Sequence, residues 1–349
     1  MSKAVNLGTL ADDISVSNGK ANLSGISLTP GSAPSSPIQG DVYLDSSDNQ
    51  LKIYNGTVWE NIVSGPGITA IGGTVTDITD GGVNYRVHTF TTSGTFTVLG
   101  KGVKTADVLI VAGGGGGGAD NAGGGGAGGL LYYGTETPKT PNGSQVTLSP
   151  GNYSIVVGAG GAGHAGTSDG DSGPGGVNGS NSSAFGYTAI GGGNGASAAF
   201  KSSTGGGSGG GGEGAQTHFS GSSGTNGQGN SGGNGSNGGG GGGGGSAAAG
   251  QNGNVRATQH GGAGGAGLQY SISGSAQFYA AGGDGGNENS VFVQYSRPSG
   301  IGGQSPANGS SRPTDAVTNT GSGGGGGTHT CVMPAGNGSS GIVIIRYEI

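Results

Sequence analysis

Ala106–Gly118 reads ADVLIVAGGGGGG, and the chain ends on Gly341–Ile349, GIVIIRYEI. Two strongly apolar runs thus bracket a tract that is dominated by glycine. Within it stand GGGGAGG (123–129), GAGGAG (158–163), GGGSGGGG (205–212), GGAGGAG (261–267) and GSGGGGG (321–327), separated by short polar or aromatic stretches. With 93 glycines and 12 prolines in 349 residues, composition alone reads as low-complexity and disordered. The flanks argue the other way, because a run such as IVIIRY needs a sheet to join. Fixing the backbone costs about 1–2 kcal/mol per residue, and more for glycine, so ordering the tract costs on the order of 100 kcal/mol. Only backbone pairing on a large scale offsets that. Without Cβ atoms, extended segments come close enough to join N–H to C=O in the three-residue-per-turn polyproline II conformation. Collagen is excluded, since no G-x-y period is sustained. The expectation is an ordered pack of polyglycine II segments projecting from a β-sandwich that the C-terminal strand completes.

Working outward, Tyr85–Phe90, Thr95–Val98 and Asp107–Val111 read as strands, the last apolar on both faces and therefore internal. Gln145–Leu148 and Tyr153–Val157 read as a hairpin across Ser149–Asn152. Upstream, Gly40–Ile62 (GDVYLDSSDNQLKIYNGTVWENI) is a three-strand meander with a type I′ turn at Asn55–Gly56. It is too small to stand alone, and Trp59 is its anchor, against its own strands or another copy of the chain. The organisation expected is an arm and linker over 1–39, the meander over 40–64, a linker over 65–82 and a glycine-rich unit over 83–349. The fold class is mainly β, with essentially no α-helix.

Composition limits function. A net charge of −6 and 9% charged residues, with no Lys/Arg run, argue against nucleic-acid binding. No stretch of 18 apolar residues suits membrane insertion, and the N-terminus lacks a signal-type apolar region. The single cysteine, Cys331, allows no intrachain disulfide or cysteine zinc site. Gly206–Gly210 matches GxSxG, as chance provides among so many glycines, with no helix to form a nucleophile elbow. The histidines lie far apart. Asp169 with Asp171, and Asp284 with Glu288, offer two carboxylates each where calcium wants several oxygens, so solvated turns are expected rather than metal. No cofactor is expected, and no catalytic residue.

Two resemblances carry the functional expectation. Gly40–Ile62 resembles a small β-module of bacteriophage tail-fibre and other virion proteins, and MSKAVNLGTLADDISVSNGKANL is similar to the openings of structural proteins of marine tailed phages. FTTSGTFTV, DVLIVAGGGGGG, GGAGGLLYY, VTLSPGNYSIVVGAGGAG and GIVIIRYEI together resemble the glycine-rich C-terminal domains of phage tail proteins, and the glycine-rich domain of anaplastic-lymphoma-kinase-type receptors. The resemblance implies a jelly-roll-like sandwich carrying polyglycine II helices, whose loops touch the bacterial surface. It implies a virion structural protein, a tail-fibre or tail-tip subunit, with an N-terminal arm that binds other virion proteins. A capsid-surface fibre or decoration protein is the alternative, and a tailspike depolymerase would need an acidic pair that is not evident.

The stretches that interrupt the glycine hold the candidate host contacts. They are Arg256 and His260, Tyr270, Phe278 and Tyr279, Phe292, Tyr295 and Arg297, and Arg312. Aromatics and arginine dominate binding hot spots, although aromatics here equally serve as plugs against the lattice. A homotrimer is expected from the small size of the meander.

Overall fold

The computed structural model describes the chain apart from residues 1–13, 18–19, 24–28, 48–50, 62–67, 101, 137–141, 167–174, 198–201, 215–218, 255–259, 289–298, 307–310 and 330–332. It forms two compact units, Met1–Gly67 and Ile68–Ile349. All regular structure among the described residues is β.

The first unit holds an antiparallel pair, β1 (Ile14–Ser17) and β2 (Lys20–Leu23), and the meander β3 (Val42–Leu44), β4 (Leu51–Tyr54), β5 (Trp59–Asn61). Trp59 packs edge-on to Tyr43 at 4.6 Å and against Tyr54 at 5.3 Å, so its anchor contacts lie within its own sheet. Beside them, Asp45 accepts hydrogen bonds from Lys52 Nζ (2.6 Å) and the Tyr43 hydroxyl (2.9 Å). The Lys52 bond, followed by those from Ser47, holds its carboxyl well below the usual carboxylate range. The expected type I′ turn is not formed. That turn needs positive φ at both central residues, and only Gly56 has it. Instead Asn55 Oδ1 accepts from the N–H groups of Thr57 and Val58, both at 2.9 Å, and closes a longer Asx-type loop.

The second unit begins with β6 (Thr69–Ile71) and β7 (Thr74–Asp80), in the stretch expected to be a linker. Then follow β8 (Val83–Phe90), β9 (Gly94–Leu99), β10 (Lys104–Val111), β11 (Leu130–Tyr133), β12 (Asn142–Gly143), β13 (Val146–Leu148), β14 (Gly151–Ile155), β15 (Ser182–Ala184), β16 (Tyr187–Ala189), β17 (Leu268–Tyr270), β18 (Gln277–Tyr279) and β19 (Ile342–Glu348). A seven-stranded sheet runs β12-β11-β10-β19-β8-β7, with β13 sharing the β10 edge, and a three-stranded sheet β14-β9-β6 faces it. Both apolar runs of the sequence are therefore central strands, paired with each other from Asp107↔Arg346 to Val111↔Ile342.

Alternation assigns their two faces. Val108, Ile110, Val343, Ile345 and Tyr347 point at the small sheet and meet Phe90, Phe96, Val98, Leu148 and Ile155. Leu109, Val111, Ile342 and Ile344 point the other way and meet Leu130, Tyr132, Tyr270, Ile272 and Tyr279. Because both faces are covered, an unbroken apolar run is what these positions demand. On the second face Arg346 and Asp107 form a buried bridge at 2.6 Å, and Asp107 Oδ1 also accepts from Gln145 Nε2 at 2.9 Å.

The predicted hairpin over Gln145–Val157 is corrected. Val146–Leu148 pairs with β10 and Gly151–Ile155 with β9, so the chain crosses between sheets at Ser149–Pro150. Leu148 and Ile155 enter the same interior from opposite sides. The Tyr153 hydroxyl donates to Ser149 O (2.9 Å) and accepts from Ser149 N–H (3.2 Å), which latches the corner.

The glycine tract is a lattice. Along Gly113–Gly118, the N–H groups of Gly113 and Gly116 donate to Ser180 O and Val177 O, those of Gly114 and Gly117 to Ser339 O and Gly336 O, and those of Gly115 and Gly118 to Gly126 O and Gly123 O. The partner changes at each residue and returns every third, as a helix of three residues per turn requires. The carbonyls of the same segment accept from three further segments, through Gly192 and Gly195, Gly161 and His164, and Gly324 and Gly327. Each inner segment is thus bonded on six sides. Segments 122–129 and 240–245 repeat the pattern, and none of the glycines in these three segments has positive φ. The polyglycine II expectation is met in hydrogen-bond pattern as well as in composition.

Candidate interaction surface

Register gives the lattice two ends. Gly113 follows the end of β10, so that end lies beside the sheets; Gly118 marks the far end. Tracing bonds outward, segments 122–129, 175–182, 239–245, 260–266 and 334–341 start far and finish near, while 158–164, 190–196, 229–235, 281–287 and 321–327 run the other way. Chain reversals therefore collect at two surfaces. The near one is built from strands and short turns, including the β15–β16 and β17–β18 hairpins. The far one is built from the residues that flank most of the non-glycine interruptions.

This register sorts the candidate residues. Tyr270 and Tyr279 belong to β17 and β18 at the near end, are 0% and 1% exposed, and cover the second face of the large sheet. The hydroxyls of both lie above the usual tyrosine range, chiefly through burial. They are core residues, which corrects their reading as surface contacts. Phe278, paired with Gln269 between them, is half-buried at the same end. The local sequence LQYSISGSAQFY resembles a loop because glycine surrounds it; in fact it is a hairpin roof over Leu109 and Ile344.

His260 lies at the far end, where its carbonyl accepts from Asn254 N–H at 2.8 Å. It is 5% exposed, so it too is a buried residue rather than a surface contact, and its Nδ1 has no hydrogen-bond partner among the described residues. Arg312 is at the same end and open to solvent. Its Nε donates to Pro334 O (3.2 Å) and its Nη2 to Asp315 Oδ1 (2.8 Å) and Ala335 O (3.3 Å). Arg256, Phe292, Tyr295 and Arg297 lie outside the described residues, as do Cys331, Asp169 and Asp171. Asn254 and His260, which flank 255–259, and Pro306 and Arg312, which flank 307–310, all sit at the far end. Asn287, before 289–298, is there too, its Nδ2 donating to Pro306 O at 3.0 Å, whereas Ser299, after that stretch, accepts from Gly267 N–H at 3.2 Å at the near end.

Other far-end residues were not singled out by sequence. Asp120 and Asn121 turn the chain with φ of 63° and 48°, and Asp120 Oδ1 meets His329 Nδ1 at 2.9 Å. Asn121 Oδ1, Ser236 Oγ, Glu288 Oε2 and Thr328 Oγ1 are buried without a hydrogen bond among the described residues. Asp284, expected in a solvated turn, is 2% exposed inside the lattice, where its Oδ1 accepts from Gly264 N–H at 3.0 Å. Ser208 of GGSGG is also fully buried. Among the described residues no group of three or more His, Cys, Asp or Glu is placed to hold a metal, and no helix is long and apolar enough to cross a membrane.

One signal for the lattice edge was present in the sequence. Ala159, Ala162 and Ala165 in GAGGAGHA, and Ser231, Asn234 and Asn237 in SGGNGSN, recur every third residue and are exposed. At these positions the segment faces outward and leaves room for a side chain.

The arrangement defines a class, a β-sandwich that carries a hydrogen-bonded polyglycine lattice. Comparison agrees with it: the profile of a family described as a glycine-rich domain matches residues 91–348. The chain belongs to that glycine-rich domain family. No curated protein matches it.

Proposed function

We propose that the chain is a virion structural protein, a tail-fibre or tail-tip subunit whose glycine-rich unit presents loops to the host cell surface. The observation that supports this reading is the segregation of ends. A six-fold bonded backbone lattice separates the sheets from a second surface, where Asp120 and Asn121, Asn254 and His260, and Pro306 and Arg312 converge. The lattice itself offers backbone and Cα hydrogens, which discriminate little between partners. Recognition of a surface protein or glycan then falls to the interrupting side chains, with Arg256, Arg297, Arg312, Phe292 and Tyr295 as the contacts.

On this reading the first unit is the assembly end. Its strands are short and its aromatic cluster of Tyr43, Tyr54 and Trp59 is only half-buried, which suits a homotrimer attached to other virion proteins. Adsorption of purified protein to host cells tests the reading. Tyr295→Ala with Arg297→Ala should weaken binding about thirtyfold, the scale of a central contact worth ~2 kcal/mol. A near-end control at Ala247–Ala249 should leave it unchanged. Double-mutant protein that is folded and adsorbs like wild type overturns these two residues as host contacts.

A further inference from the structure

Where the β13–β14 corner meets the β15–β16 hairpin, the second unit has a cavity of about 520 Å³, lined by Thr147, Asn152, Tyr153, Ser154, Ser183, Phe185 and Thr188 among others. Cavities that hold small molecules span roughly 300–1,000 Å³. Two backbone hydrogen bonds at 2.9 Å between Val156 and Ser183 join the hairpin to the sheet, so the walls belong to one body.

The lining is chemically narrow. Among the described lining residues there is no Asp, Glu, Lys, Arg or His. The hydroxyls of Thr147, Ser154, Ser183 and Thr188 make no hydrogen bond among the described residues. Asn152 Oδ1 is held by Thr97 Oγ1 at 2.9 Å, which leaves the Asn152 amide N–H₂ as a donor. Beside these polar groups stand two rings, Tyr153 and Phe185, with centroids 4.9 Å apart.

Phe185 is in an unusual place. It has φ of 54° and precedes Gly186, φ 82°, in the two-residue turn between Ala184 and Tyr187. Such turns take Asn, Asp or Gly at the first position, and a bulky residue with positive φ is an outlier. Strain of that kind gathers at ligand sites, and the inference runs from the outlier to a role. Packing on Phe96 at 6.0 Å holds the ring, but an Asn turn would close the hairpin without strain.

We propose that this cavity binds a neutral saccharide. A charged ligand would enter without a counter-charge, and a purely apolar one would cover the hydroxyls without bonding them. A pyranose meets both halves of the lining, with ring C–H groups on the aromatics and hydroxyls on Thr, Ser and Asn. The proposal is independent of the far-end reading, because every lining residue lies among the sheets and near-end strands.

Saturation-transfer NMR on the full chain tests it, with glucose, galactose, mannose and N-acetylglucosamine as probes and glucuronic acid as the charged comparator. At least one neutral sugar should receive saturation, and glucuronic acid none. Phe185→Asn suits the turn and should weaken binding about tenfold or more. Ser154→Trp fills the cavity from an exposed strand position, leaves the core intact, and should abolish transfer. No transfer to any neutral probe at millimolar concentration overturns the proposal. So does transfer that persists in folded Ser154→Trp protein, or stronger transfer to glucuronic acid.

Discussion

A single methyl group decides whether the lattice can form. At Gly115 a Cβ would lie under 3.0 Å from the Gly193 carbonyl, a separation that real Cβ atoms do not show, and the obstacle is backbone rather than a movable side chain. Gly115→Ala should therefore cost about 3 kcal/mol or more, at the upper end for overpacking, seen as a Tm lower by at least about 5 °C. Ala162→Ser, on the exposed edge of its segment, should leave Tm within a degree or so of wild type. His88 gives a second residue-scale prediction. It is fully buried between the sheets, its Nδ1 2.7 Å from Gly72 O and its ring edge-on to Phe96 at 5.0 Å. Burial pushes its pKa below the ordinary value. The unfolded chain consequently takes up a proton near pH 6.5 that the folded chain resists. Its contribution is intact above that pH and is lost as pH falls further. Thermal melts from pH 7.5 to 5 should show declining Tm, and His88→Gln should flatten that decline; an equal decline in both proteins refutes the assignment.

At the scale of elements, the edge of the lattice is finished by amide and carboxylate side chains. Asn181 Oδ1 accepts from Gly191 N–H (2.8 Å), Asn234 from Gly221 (3.0 Å), Asn252 from Asn234 (2.8 Å) and Asn337 from Gly163 (2.8 Å). Each supplies an acceptor for a rim N–H, where the interior uses a backbone carbonyl. Replacing Asn181 or Asn337 by Ala should cost about 1 kcal/mol each, while Asp, which keeps the acceptor, should cost less. A combined Asn181→Ala, Asn234→Ala, Asn337→Ala protein should also self-associate, detectable by sedimentation velocity, because open rim donors can take a carbonyl from another copy. Strand legibility followed burial. DVLIV and IVIIRY announced themselves because both faces are covered. TVTDITD did not, since β7 is a sheet-edge strand exposed at all but Ile78, although its Thr, Val and Ile content is that of a strand. The Ser149 corner was misread because short sequence separation favours a hairpin, and only the shared interior of Leu148 and Ile155 shows that the chain changes sheets.

For the whole molecule, order in the tract is the central expectation. Limited proteolysis should leave a resistant fragment that begins close to Ile68 and retains the C-terminal strand, since β19 lies between β8 and β10. Rapid cleavage throughout 113–127 and 239–245 would contradict the lattice. The sequence showed which stretches interrupt the glycine. It did not show at which end each lies, because that depends on segment direction, which only the hydrogen-bond register fixes. Tyr270 and Arg312 look alike in sequence context, yet one roofs a sheet and the other faces solvent at the opposite end.

The three-residue return of hydrogen-bond partners also governs how such a protein can change length. Removing one glycine from an inner segment turns every later donor by a third of a revolution, toward the wrong neighbours. Removing three restores the direction and shortens the segment by about 9 Å. Natural variation should consequently arrive as indels in multiples of three within the segments and of any size between them. In the laboratory, deleting Gly241 alone should abolish the cooperative melt, whereas deleting Gly241–Gly243 should retain one at lower temperature.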